Sequence, residues 1–204
     1  MKYKVDQYKV YNKGRVNKVL VFPRLEQAWA YDDFQEDDQL MLDGCPEFFQ
    51  QIHHALAALI ADPSLIIYFP IKNREEKRFG ANMTYDAVLV RPELQFKRSE
   101  WYDIKGKLDK RHWVGKYTIR HNVKKLEDLW EKEDKLKPWR PTRENIVEEV
   151  LGDTVFLVLP KLACLDYHSN ITFAMQVYDS DDVYAMYAGI GYISPTRFLE
   201  KIKK

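Results

Sequence analysis

The sequence predicts a single α/β (α+β) domain with a mixed central β-sheet flanked by helices and an extra β-hairpin at its N-terminus. Three observations carry this reading. The chain has 204 residues, 46% hydrophobic and 14% aromatic, enough for one sizeable core and too short for two ordinary domains. Short β-rich runs alternate along it with amphipathic helical stretches. Hairpin turns also occur beside helical crossovers, so antiparallel and parallel neighbours are expected in one sheet. We read residues 1–45 as an N-terminal elaboration, 46–160 as the core and 161–204 as its C-terminal completion.

Taken in order, YKVDQYKVY (3–11) and RVNKVLVF (15–22) alternate as strands and meet at Asn12-Lys13-Gly14, a turn with glycine where positive φ is cheap. The acidic stretch from Glu26 to Asp43 lacks the spacing and glycine of a calcium loop and reads as solvated loop. After Pro46, apolar residues Phe48, Ile52, Leu56, Leu59 and Ile60 recur every three to four positions, which predicts a helix over 46–61. His53 and His54 are adjacent on it and point about 100° apart, poor geometry for a shared metal, so they read as packing or surface residues.

SLIIYF (64–69) and TYDAVLV (84–90) follow as strands, and LQFKRS (94–99) reads as the returning strand of a second hairpin. NVKKLEDLWEKEDKL (122–136) places Val123, Leu126, Leu129 and Trp130 on one helical face. A short helix is expected near 145–150, then the buried strand TVFLVLP, a β-rich GIGYIS, and a closing helix opened by Pro195. Asp179 to Asp182 read as a surface loop.

No run approaches the roughly 18 apolar residues of a membrane span, and the alternating start MKYKVDQYKVYNKG has no export-signal core. The expected setting is therefore cytoplasmic, with no membrane partner. Cys45 and Cys164 lack disulfide or metal-ligand spacing and read as reduced thiols. The net charge of +1 conceals polarity: residues 95–145 carry 15 Lys and Arg against 9 Asp and Glu. Such a basic middle is the footprint of a polyanion and also of a solvated charged surface.

The candidate chemistry lies between Arg74 and Ser99. If 84–90 and 94–99 pair as a hairpin with Asp86 opposite Lys97, Val88 faces Gln95, and a carboxylate, an amide and an amine share one face. Asp86 and Glu76 would offer hard oxygen ligands to Mg²⁺, with the Phe96 carbonyl as a further donor. The ion would acidify a water, and Lys97 would orient it or meet the charge growing on a phosphate. A structural ion pair across the hairpin explains the same residues. Downstream, Trp101, Tyr102, His112, Trp113 and Tyr117 are interleaved with cations. Arg98, Lys105, Arg111, Lys116, Arg120 and His121 are the candidate nucleic-acid contacts. A basic loop anchored by a few aromatics is the other reading.

The order Glu76, Gly80, Asp86, then Gln95-Phe96-Lys97-Arg98, resembles the PD-(D/E)xK restriction-endonuclease-like nuclease superfamily in its QxK variant. The resemblance covers Pro46 to Pro160 in outline and is specific over Glu75 to Ser99. It implies a restriction-endonuclease-like fold and Mg²⁺- or Mn²⁺-dependent hydrolysis of DNA, with RNA as the alternative substrate. Asp86 would be the main metal ligand, Gln95 the auxiliary one, Lys97 the catalytic lysine and Glu76 the acid from the preceding segment. It also implies a homodimer or an activating partner protein, and a bacterial or phage defence or mobile-element setting. Five residues, Ala81 to Tyr85, separate Gly80 from Asp86 where the family pattern is shorter, which makes Glu75 the substitute for Glu76. The neutral Gln95 weakens metal affinity relative to a two-acid site. A non-catalytic nucleic-acid- or protein-binding module on the same scaffold is the alternative.

Overall fold

β1 (Lys2–Asn12) and β2 (Arg15–Val21) form the hairpin that their alternation predicts. Lys13 and Gly14 link them with positive φ at both positions, 45° and 83°, as a tight right-twisting turn requires. The computed structural model describes residues 1–33, 39–72, 84–136, 147–177, 183–187 and 192–196. Within it the hairpin is no appendage. β1 pairs antiparallel with β7 (Trp113–Arg120), and β2 runs parallel to β5 (Leu65–Phe69). With β6 (Asp86–Val90), β8 (Val147–Leu151) and β9 (Thr154–Val158) they build one mixed seven-stranded sheet in the order β7-β1-β2-β5-β6-β9-β8. β6 lies between an antiparallel neighbour, β5, and a parallel one, β9.

A second, four-stranded antiparallel sheet joins β3 (Ala28–Asp33) and β4 (Gln39–Gly44) to β10 (Val183–Tyr187) and β11 (Tyr192–Thr196) in the order β11-β10-β4-β3. The helices are α1 (Pro46–Ala61), α2 (Trp101–Lys105), α3 (Val123–Leu136) and α4 (Lys161–Val177). α1 opens with Pro46 in its first turn and buries Phe48, Phe49, Ile52, Leu56 and Leu59, each contributing about 2 kcal/mol of burial. It packs on α4, and both helices share a core with the second sheet and with one face of the central sheet. The other face carries a smaller core of Ile66, Tyr68, Val88, Val90 and Phe156, capped by Trp101 and Ile104 of α2. The period-2 alternation of β5 and β6 thus feeds two cores at once. No helix among the described residues is long and apolar enough to cross a membrane.

Four local expectations are corrected. Residues 94–99 are not a strand: two 3₁₀ turns, Pro92–Leu94 and Arg98–Glu100, flank Gln95, which sits in the left-handed region at φ 51°. Both edges of β6 are taken, by β5 and by β9, so no ladder remains for a returning strand. The 26–43 stretch is largely β3 and β4, because Ala28, Trp29, Ala30 and Leu42 bury between its carboxylates. The expected helix near 145–150 is β8 from Val147, which turns through Gly152 (φ 58°) into β9. Pro195 lies in β11 rather than opening a helix. Asp179 to Asp182 and residues 197–204 lie outside the described residues. Cys45 and Cys164 are free thiols, the second buried.

Candidate functional site

Asp86 opens β6 on the face that carries Val88 and Val90, so its carboxylate lies at the rim of the smaller core. Antiparallel pairing sets Tyr68 of β5 opposite Val88, and from there the phenol donates to Asp86 Oδ2 at 2.8 Å. Lys72, just beyond β5, donates its backbone N–H to Oδ1 at 2.9 Å. Parallel pairing sets Thr154 of β9 beside Asp86, which brings Asp153 to the same strand ends. The Asp86 N–H donates to the Asp153 carbonyl at 2.9 Å.

α2 supplies the cation. Trp101 and Ile104 are fully buried over the sheet, which fixes the short helix and aims Lys105 at the acids. Its Nζ lies 2.8 Å from Asp86 Oδ2 and 3.2 Å from Asp153 Oδ2. Lys72 Nζ stands 3.8 Å from Asp153 Oδ2. The Tyr102 hydroxyl accepts the Asp153 N–H at 3.1 Å and lies 2.9 Å from the Leu151 carbonyl. That contact requires the glycine before Asp153: a Cβ on Gly152 would stand 2.1 Å from the Tyr102 hydroxyl.

Burial opposes charge on Lys105, but hydrogen bonding and attraction to Asp86 and Asp153 outweigh it and raise its pKa. Burial likewise opposes charge on Asp153, and bonds from Thr154 and Lys105 bring its pKa below the ordinary carboxylate range. Burial and the neighbouring Asp86 carboxylate push the Tyr68 phenol well up, which keeps it a donor. Two carboxylates therefore hold one ammonium between them at the rim of a sheet. With oxygen donors on adjacent strands, the set has the chemistry of a hard divalent cation site.

The sequence-derived site residues divide. Asp86 and Lys105 meet. Gln95 and Lys97 are exposed and follow the far end of β6, about 13 Å of strand away from Asp86. Arg98 is half-buried beside them. Glu76, with Glu75 and Gly80, lies outside the described residues. Arg111, Lys116 and Arg120 belong to β7 and its approach, four strands or about 19 Å from β6. There Arg111 chelates Asp109 at 2.6 and 3.0 Å, Lys116 pairs with Asp6 at 2.9 Å, and Arg120 is exposed. His121 turns inward against three other histidines.

Sequence reasoning misses Asp153, Tyr68 and Lys72 of this site, although for Asp153 the sequence holds a signal. Asp86 precedes AVLV and Asp153 precedes TVFLV, so an acid stands at the head of each of two apolar runs. Parallel pairing of those strands, nearly in register, sets the acids side by side. Comparison of the chain with protein-family models, with curated proteins and with solved structures finds no match.

Proposed function

We propose that the chain is a divalent-metal-dependent nuclease of restriction-endonuclease-like fold, with Asp86 and Asp153 as its carboxylates and Lys105, rather than Lys97, as its lysine. The observation that carries this is Lys105 Nζ held between Asp86 and Asp153 at 2.8 and 3.2 Å, at the rim of a mixed sheet whose helix α1 leads into the antiparallel pair β5–β6. Mg²⁺ or Mn²⁺ on the two carboxylates would supply a water acidified for attack on phosphorus. The chain's own groups do the rest. Lys105 and Lys72 place two positive charges beside the acids, suited to meeting charge that develops on a phosphate. Tyr68 and the Lys72 N–H fix the orientation of Asp86.

Supercoiled DNA incubated with the purified protein should be nicked only when Mg²⁺ or Mn²⁺ is present, and Asp86→Asn and Asp153→Asn should each reduce the rate by about 10²-fold or more. Cleavage that survives either change would overturn the assignment. One observation favours a second reading, a non-catalytic binding module. Both Asp86 oxygens already have protein partners, so the cluster serves equally as a structural clasp. That module would bind DNA in a salt-sensitive manner without a metal.

A further inference from the structure

On the opposite side of the central sheet, four of the five histidines converge from three distant stretches of chain: His53 and His54 of α1, His121 after β7, and His168 of α4. The imidazoles of His53 and His168 stack with centroids 3.8 Å apart, and His121 stands edge-on to His53, His54 and His168 at 5.1, 5.0 and 5.3 Å. His53, His54 and His168 are 2%, 4% and 1% exposed.

Buried imidazoles normally have partners for both nitrogens, and these do not. His53 Nδ1, His54 Nδ1, His168 Nε2 and both nitrogens of His121 are buried with no hydrogen-bond partner. The tautomer of His53 follows from its one bond. Thr172 Oγ1 donates its proton to the His168 carbonyl at 2.9 Å, so the 2.9 Å contact to His53 Nε2 requires Nε2 to be the donor. His53 Nδ1 is then left as a bare lone pair. Holding one ring nitrogen as donor to a hydroxyl, which leaves the other a lone pair, is how a protein fixes the tautomer of a histidine ligand.

We propose that His53, His121 and His168 form a binding site for a borderline transition-metal ion, Zn²⁺ foremost, separate from the oxygen-donor site around Asp86. One donor atom from each lies within 4.8 Å of the others. A tetrahedral ion about 2.0–2.1 Å from each nitrogen would set those atoms about 3.3 Å apart, so loading draws the donor atoms together by up to about 1.5 Å. Three imidazoles and no acid suit Zn²⁺, Co²⁺ or Ni²⁺ over Mg²⁺ or Mn²⁺. His54, its Nδ1 also unpartnered, stands edge-on to His121 beside the triad. The ion would staple α1, α4 and the end of β7 together.

The test strips the full-length protein with a chelator, adds Zn²⁺ or Co²⁺, desalts, and measures bound metal, the visible absorption of Co²⁺ and the thermal midpoint. The expected result is one ion retained per chain, a tetrahedral Co²⁺ spectrum and a raised midpoint. His121→Ala and His168→Gln should remove all three, whereas His112→Ala leaves them intact. His121 is only partly buried, so its variant folds even if the His168 change does not. Retention of no metal by the wild-type protein, or retention undiminished in His121→Ala, would overturn the proposal. The readout is independent of DNA cleavage, so this site and the nuclease reading stand or fall separately.

Discussion

The two faces of the central sheet hold polar clusters of opposite kind. Around Asp86 every charge has a counter-charge and every carboxylate oxygen a donor, and the group reaches the rim, where Lys105 and Asp153 remain partly exposed. Around His53 the groups are neutral, more deeply buried and short of partners. A satisfied cluster stabilises its fold as it stands. An unsatisfied one costs about 1–3 kcal/mol for each orphaned nitrogen, a cost that a bound ion would offset.

Acid should separate the two most strongly. Burial first, then repulsion from neighbouring histidines, lowers His53 to about 2 and His168 to about 3; burial and His121 lower His54 to about 4. The sign follows from linkage. With folded values below the ordinary 6.5, these groups leave stability intact above pH 6.5 and cost it as pH falls and the unfolded chain takes up protons. The loss for the metal-free protein is on the order of 2 kcal/mol per histidine by pH 5. Asp153, lowered from the ordinary carboxylate value, keeps its contribution until well below that window. Urea midpoints at pH 7.5, 6 and 5 check this; a flat profile would mean the histidines are not buried as described.

A smaller loss, about 2 kcal/mol, is expected of Gly152→Ala. It combines a strained left-handed backbone with eviction of the Tyr102 hydroxyl. Equilibrium unfolding measures it, and Tyr102→Phe in the same background should recover part of the loss, since the clash is with the hydroxyl. The smallest effect, within about 0.5 kcal/mol, is expected for Gln95→Ala and Lys97→Ala, both exposed beyond the far end of β6.

Local pattern made much of this architecture legible. The β1–β2 hairpin, α1 from Pro46 to Ala61, the strands β5, β6 and β9, and α3 all follow from periodicity and turn chemistry. What escaped depends on which elements become neighbours. Residues 94–99 have a strand's composition, but both edges of β6 are filled. α4 gives only a weak amphipathic signal, because His168 and Thr172 bury with Cys164, Tyr167 and Ile171 while Phe173 is exposed. The candidate site was half visible: Asp86 stood out, while Lys105 reaches it only because the chain doubles back over the sheet after β6. The histidines could not be grouped from sequence. His53, His121 and His168 are separated by 47 residues or more, and only tertiary packing brings them together.

The most direct measurement is metal-dependent DNA cleavage by Lys105→Ala and Lys97→Ala side by side with the wild-type protein. Lys105→Ala is expected to lose about 10²-fold or more, and Lys97→Ala to cleave at the wild-type rate. Loss of cleavage in Lys97→Ala with Lys105→Ala fully active would contradict the assignment of Lys105, and would return the catalytic lysine to the segment after β6.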